Sequence, residues 1–260
     1  MRTLNTGLLF RALLRPLRID TVCDVGSMDG TESRAFRARL PAARILAFEA
    51  NPQNFRRMLA DARLHAAGVE LIEAAAGAFD GSAPFYVVGA DFDSQDIRRG
   101  HSSLRRRDAP SGPLQEVRVR TVRLDSLLLN EAGRLALWID VEGLALEVLE
   151  GARGILDRTQ LLHVELESIP CISEGQHLAP EAIALLTEAG FDEIAIDQPR
   201  GTPQFNAVFL RRGQDAATLR RVRGTLSWGF MRRRCAAVAA RVSPRLLHRL
   251  RSWWPARALT

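Results

Sequence analysis

Cysteine is scarce in this sequence. Cys23, Cys171 and Cys235 are odd in number, lie far apart and form no C-x-x-C pair. That excludes a disulfide framework and the paired spacing of a structural zinc site, and it points to a reduced, cytoplasmic compartment. Long apolar runs are missing too. No uninterrupted stretch approaches the roughly 18 residues that suggest a membrane-spanning helix. At the N-terminus, Arg11, Arg15 and Arg18 interrupt the apolar residues Leu4, Leu8, Leu9 and Phe10 before any small-residue cleavage site, so no signal peptide is expected. Lysine is absent, all 36 basic residues being arginine, which hints at a GC-rich bacterial genome and not at a function. A single tyrosine leaves few platforms on which unpaired nucleotide bases stack.

What is present suffices for one sizeable core: 260 residues, 47% hydrophobic and 25% charged, suggest one main domain with short appendages. We read residues 1–18 as an N-terminal helical extension, 19–212 as the main domain and 213–260 as an Arg-rich tail. The formal net charge of +6 is unevenly spread. Residues 211–260 hold 13 arginines against one acid, Asp215, a local +12 that leaves −6 for residues 1–210. The body is acidic and the basicity belongs to the tail, so the overall charge does not by itself imply nucleic acid.

Apolar runs alternate with amphipathic stretches. Residues 21–26 read as a buried strand ending at glycine, followed by a helix containing Phe36 and Leu40. Residues 44–49 form a second strand, Asn51-Pro52 starts a helix through His65, and a third strand spans Val69 to Ala75. Residues 84–88 and 117–124 alternate as strands with one wet face, flanking a polar loop at 89–116. Strands at 135–140 and 160–165 enclose a helix from about 144 to 156. A helix at 180–189, ended by Gly190, precedes a closing hairpin of 191–196 and 206–210. The pattern predicts an α/β fold: a doubly wound, mostly parallel sheet with a C-terminal antiparallel hairpin. There is no internal repeat.

The turn Asp24-Val25-Gly26-Ser27-Met28-Asp29-Gly30 follows the first strand, where open α/β sheets place their ligands. Its G-x-x-x-G spacing differs from the G-x-G-x-x-G of dinucleotide sites, so no pyrophosphate is required. Glu49 ends the second strand about 20 residues on, where a carboxylate accepts hydrogen bonds from both ribose hydroxyls. Together they describe a pocket for an adenosine without phosphates. Either feature alone is as readily a plain loop or a solvated acid.

These motifs resemble the FkbM family of methyltransferases. Its D-V-G-A-N-x-G pattern is similar to Asp24–Gly30, and F-E-P-x-P-x-x-F to Phe48 through Phe55. G-x-S-S-L is similar to Gly100-His101-Ser102-Ser103-Leu104, and T-L-D-S-L to the segment around Leu124-Asp125-Ser126-Leu127. The longest match is K-I-D-V-E-G-x-E-x-x-V-L-x-G-A to Trp138-Ile139-Asp140-Val141-Glu142-Gly143, continuing through Glu147, Val148-Leu149 and Gly151-Ala152. The resemblance covers roughly residues 20–170. It implies a Rossmann-like class I fold, S-adenosylmethionine as cofactor, and O-methylation of a sugar, polyketide or lipid-linked glycan. Asp24, Gly26, Ser27, Gly30, Glu49, Ala50, Asn51 and Ala75 are the expected cofactor residues. The sequence departs at Met28 (Asn in the pattern), Ala50 (Pro) and Trp138 (Lys). The last removes a cation next to Asp140 and bears on substrate recognition.

A hydroxyl nucleophile needs a base within hydrogen-bond reach. Asp140 and Glu142, after one central strand, and Glu165, near the end of the next, are the candidates; helix capping or binding of substrate hydroxyls are their alternatives. The three could offer oxygens to Mg²⁺, but their spacing does not demand a metal and none is expected. His163, mid-strand among apolar neighbours, is expected to be a hydrogen-bonded core histidine. His101, Ser102 and Ser103 are expected to meet substrate. In the tail, Ser243-Pro244 starts a helix with Leu246, Leu247, Leu250 and Trp254 on one side and arginines elsewhere, a pattern found on anionic membrane surfaces; a solvated or domain-packed tail fits equally. Two rival functions remain, an RNA methyltransferase that tracks phosphates with the tail and a non-catalytic scaffold with the same fold.

Overall fold

A computed structural model describes residues 5–89 and 97–227. The tail helix expected at Ser243–Trp254 lies outside the described residues. Within them, no helix is long and apolar enough to cross a membrane.

The first strand, β1 (Thr21–Val25), is buried at every position. A strand covered on both faces reads as a continuous apolar run, and a parallel strand between helical layers must be of that kind. β1 pairs in parallel with β2 (Arg44–Glu49) on one side and with β7 (Leu135–Ile139) on the other. β3 (Glu70–Glu73) extends the sheet beyond β2, and β8 (Thr159–Glu167) extends it beyond β7, both in parallel. β10 (Gln204–Arg211) and β9 (Phe191–Ile196) close the sheet antiparallel, giving the order β3-β2-β1-β7-β8-β10-β9. The expected sheet and hairpin are both present. Because β1 has its sequence neighbour on one side and a distant strand on the other, the crevice at its carboxyl end is the topological switch point.

Two helical layers cover the sheet. On one face, α1 (Thr6–Leu13), α2 (Thr31–Arg39) and α3 (Pro52–Ala60) bury Leu9, Phe10, Leu13, Phe36 and Met58 against Val22, Ile45, Ala136, Leu161 and Val208. α1 is thus part of the core. Its N-cap Asn5 accepts from the Leu8 amide at 2.8 Å, satisfying one of the helix's open donors. On the other face, α5 (Leu124–Leu128), α6 (Ala145–Glu150) and α7 (Ala179–Glu188) cover Val25, Leu137, Ile139, Leu162 and Val164. The last described helix, α8 (Ala216–Ser227), lies by α1, with Arg221 Nε donating to the Pro16 carbonyl at 2.9 Å.

Local boundaries differ from the sequence expectation in three places. The strand read at 69–75 divides: β3 ends at Glu73, and Ala75–Ala76 forms β4 in a separate sheet. That sheet has the order β4-β6-β5, with β5 (Gly81–Val88) antiparallel to β6 (Leu114–Val122). No glycine or proline marks the crossover from one sheet to the other, so a run of alanines hides it. The helix read at 51–65 breaks at Asp61, whose extended backbone lets its carboxylate cap α4 (Ala62–Ala66) through the Arg63 amide at 2.9 Å. The helix read at 144–156 is α6 followed by a 3₁₀ turn, Arg153–Ile155. The inner face of the second sheet, Phe85, Val87 and Val119, packs on Ala50 and Ala75 and roofs the crevice.

Candidate active site

A cavity of about 250 Å³ opens at the switch point, between the carboxyl ends of the strands and the second sheet. Gly26, Glu49, Ala50, Ala75, Asp140, Glu142 and Glu165 line it, as do His101 and Ser102 from the loop above. Five other expected residues, Asp24, Ser27, Gly30, Asn51 and Ser103, do not line it.

Those five build the frame. Asp24 is 1% exposed, and its Oδ2 accepts from the hydroxyls of Ser27 (2.8 Å) and Ser33 (2.5 Å), pinning the turn to the start of α2. Burial pushes its carboxyl up to about 6. Gly30 has φ +72°, and a Cβ there would meet the Leu64 side chain at 2.5 Å. Asn51 caps α3 by accepting from the Gln53 amide at 3.0 Å. Ser103 donates to the Glu142 carbonyl at 2.8 Å. Even Gly26, which does line the cavity, answers to the protein: a Cβ there would sit 1.8 Å from the Asp140 carbonyl oxygen, and its φ is +86°. The glycine lets β1 and β7 end side by side, which brings Glu49 and Asp140 to one cavity.

Glu49 is 6% exposed. Oε1 accepts from the Asn51 amide and Oε2 from the Met28 amide, each at 2.7 Å. Burial raises its carboxyl to about 7, against these two backbone donors, which favour the ionised form. An ionised carboxylate has about four acceptor positions, so each oxygen keeps capacity for a ribose hydroxyl. With Ala50, Ala74, Ala75 and Phe48 as walls, this end of the cavity fits a nucleoside and offers no cluster of cations for phosphates.

Asp140, Glu142 and Glu165 stand at the other end, each with an oxygen within 4.8 Å of the others. Three negative charges that close in a mostly buried place cannot all persist. Burial raises all three carboxyls, Glu142 to about 7, and Asp140 and Glu142 add to the rise at Glu165. The direct interaction between Asp140 and Glu165 opposes ionisation of Glu165 and favours that of Asp140. Glu165 Oε2 is buried and accepts no hydrogen bond. Glu142 is ion-paired with Arg107 and has φ +52°. A glutamate held in the left-handed region is strained, and strain of this kind collects where a side chain must be aimed. If a divalent cation binds this chain, these three carboxylates are the set able to hold it.

Sequence reasoning missed several lining residues. Asn54, Phe85, Arg99, Met28 and Val141 all border the cavity. Phe85 had a signal, as an inward position of an alternating strand. Asn54 had a weaker one, on the turn after the α3 cap. Arg99 had none, lying in a loop crowded with arginines. His163 is the core histidine expected: 3% exposed, with Nε2 3.1 Å from the Thr6 hydroxyl. Burial lowers its pKa to about 3.

Among known families, the methyltransferase FkbM domain matches residues 24–193. The chain belongs to this family. Its body is therefore an S-adenosylmethionine-dependent methyltransferase domain, and the carboxylate at Glu49 and the cluster at Asp140 lie in one FkbM cavity. A search of curated proteins returned no match. Among solved structures, the chain resembles the N-terminal domain of EvdMO1 in the presence of SAH and D-fucose, with 16% identity, 80% of this chain and 82% of that one covered, and a TM-score of 0.42. It spans 41% of the longer EvdMO1 structure, at 15% identity, covering 80% of this chain with a TM-score of 0.45. A putative O-methyltransferase from Klebsiella pneumoniae is similar at 15% identity, 80% coverage of both chains and a TM-score of 0.44.

Proposed function

We propose that this FkbM chain methylates a hydroxyl oxygen of a neutral, polyhydroxylated acceptor such as a sugar or glycan. The observation that carries the reading is the group of three carboxylates at the cavity, with raised and unequal proton affinities. S-adenosylmethionine, when bound, supplies an electrophilic methyl group and leaves as a neutral thioether. The protein's own work is to orient the acceptor and take its proton. An ionised member of the Asp140–Glu165 pair accepts the hydroxyl hydrogen bond and then the proton, while Glu142, fixed by Arg107, holds a neighbouring hydroxyl. Four acids, Glu49, Asp140, Glu142 and Glu165, line the cavity beside a single arginine, Arg99, a lining that offers little to a phosphate or carboxylate on the acceptor. The same lining counts against RNA.

The test is methyl transfer from labelled S-adenosylmethionine to a panel of neutral sugars, sugar phosphates and RNA. We expect label in a neutral polyol, and a loss of kcat of about 10²- to 10⁴-fold in Asp140→Asn or Glu165→Gln with cofactor binding kept. Label in RNA that weakens steeply with salt would replace this reading with the nucleic-acid one. A folded protein that binds cofactor but methylates nothing, with substitutions at Asp140 inconsequential, would favour the scaffold.

A further inference from the structure

We propose that Ser103 and Arg107 are positioning residues, a clasp that sets where Glu142 presents its carboxylate to the acceptor. The inference rests on the reading of Glu142 as a group that holds an acceptor hydroxyl. Glu142 lines the cavity with its backbone in the left-handed region, φ +52°. A glutamate keeps that conformation only where its neighbours over-determine it. Two side chains of one segment do so. Ser103 Oγ donates to the Glu142 carbonyl at 2.8 Å and fixes the backbone. Arg107 Nη2 donates to Glu142 Oε2 and fixes the carboxylate. The side chains of this ion pair are 11% and 14% exposed, so solvent and salt screen it far less than a surface pair. Ser103 itself serves the protein: it is 1% exposed, and its hydroxyl, while donating to Glu142, accepts from the Arg105 amide at 3.0 Å.

The segment that carries the clasp is anchored on both sides of it. The Ser103 amide donates to the Tyr86 carbonyl on β5 at 3.2 Å, and the Tyr86 amide donates to the Ser103 carbonyl at 2.8 Å. Just past Arg107, the Asp108 amide donates to the Ile172 carbonyl at 2.9 Å, and Asp108 Oδ2 accepts from the Glu174 amide at 2.8 Å. Between these anchors Arg105 Nη2 reaches Glu147 Oε1 on α6 at 2.9 Å. Held in this way, Arg107 works in two directions. Its Nε donates to the His101 carbonyl at 2.8 Å while Nη2 holds Glu142. His101 and Glu142 both line the cavity. The planar fork therefore fixes the loop above the cavity and the carboxylate in its wall at one spacing, which the point charge of a lysine reproduces only in part.

The experiment is methyl transfer by the full chain from labelled S-adenosylmethionine to D-glucose, D-galactose and D-mannose, with KM and kcat measured on each sugar that takes label. The variants are Ser103→Ala, Arg107→Gln, Arg107→Lys and Glu142→Gln, and the first two are also combined with Glu142→Gln. Calorimetric binding of S-adenosylhomocysteine reports on the cofactor end of each. Ser103→Ala and Arg107→Gln raise the sugar KM about tenfold and keep kcat within about twofold of wild type, the pattern of lost acceptor binding. Their affinity for S-adenosylhomocysteine is that of wild type, and Arg107→Lys falls between wild type and Arg107→Gln. Once Glu142→Gln has removed the carboxylate that they aim, neither substitution raises KM by more than about a further twofold. An unchanged KM in the single variants, a fall in kcat alone, or the full tenfold rise repeated on top of Glu142→Gln overturns the clasp. Lost S-adenosylhomocysteine binding in Ser103→Ala or Arg107→Gln overturns it as well, by making that residue a support of the cofactor end. A wild type that binds S-adenosylhomocysteine and labels none of these sugars overturns the reading of the acceptor, and the clasp with it, before any variant is compared.

Discussion

Single residues in this molecule carry strain that the sequence alone makes visible only in part. Met28 stands in the left-handed region at φ +52°, where the FkbM pattern has Asn. Asn visits that region more readily because its short polar side chain bonds locally, whereas a longer side chain meets its own backbone. The Met28 amide still donates to Glu49 at 2.7 Å, so the conformation is needed even though the residue is poorly suited to it. Met28→Asn should stabilise the fold by about 1 kcal/mol, seen as a melting temperature higher by about 2 to 4 °C, with cofactor binding unchanged or tighter. A lower melting temperature would mean that the Met28 contact with Gly100 outweighs the relief of strain. At the acid cluster the raised carboxyls favour neutralisation by protons over neutralisation by a cation. Activity should therefore survive extensive dialysis against a chelator within about twofold, allowing for ordinary scatter in non-metal sites. Loss on chelation with recovery on Mg²⁺ would instead make Asp140, Glu142 and Glu165 ligands.

At the scale of elements, Trp138 shows how a departure from a family pattern can lie away from the chemistry. The lysine of that pattern would be two residues from Asp140, yet the indole does not line the cavity. It stacks on the His163 imidazole at 3.6 Å and meets Phe10 edge-on at 5.4 Å and Phe36 at 5.7 Å. A Cβ on Gly7 would come within 3.1 Å of it. The cluster docks α1 on β7 and β8. Trp138→Lys should lose about 3 to 5 kcal/mol in urea unfolding, as for deletion of a buried indole, while the remaining folded fraction binds cofactor normally. If stability hardly changes and acceptor KM moves instead, Trp138 acts on the site after all. Much of the frame was readable before any coordinates, because β1, β2, β7, β8 and the hairpin are apolar runs bounded by Gly, Asp or Pro. Glu49 and Asp140 were readable for the same reason, since each terminates such a run. The β3–β4 crossover and the Arg99–Asn54 hydrogen bond were not. The first is built from alanines that suit either sheet, and the second depends on a loop brought to α3 by the tertiary fold. Asp24, Ser27, Gly30, Asn51 and Ser103, which do not line the cavity, show the limit of motif reading: a motif records which residues a turn needs and does not separate those facing a ligand from those beneath it.

The whole molecule concentrates raised carboxyls in one region, and this sets how its stability responds to pH. Burial lifts Asp24 to about 6 and Glu49, Glu142 and Glu167 to about 7, and it also raises Asp140 and Glu165. In the unfolded chain all of these ionise near pH 4. Between about pH 4 and 7 the native state therefore binds more protons than the unfolded state, and stability falls as pH rises through that window. The acids shifted the other way, such as Glu70 beside Arg44 and Asp61 beside Arg63, are exposed pairs that add little. Glu167 offers the cleanest test, since it does not line the cavity, is 2% exposed and has an unpartnered Oε1. A carboxyl raised by this much costs on the order of 3 kcal/mol when it must ionise in place. The melting temperature of the wild type should drop between pH 5 and pH 8, and Glu167→Gln should reduce that drop by being the more stable protein at pH 8 and near parity at pH 5. A wild type whose stability rises across this range would show that the buried acids are ionised and paired, and the raised proton affinities on which the proposed base rests would go with it.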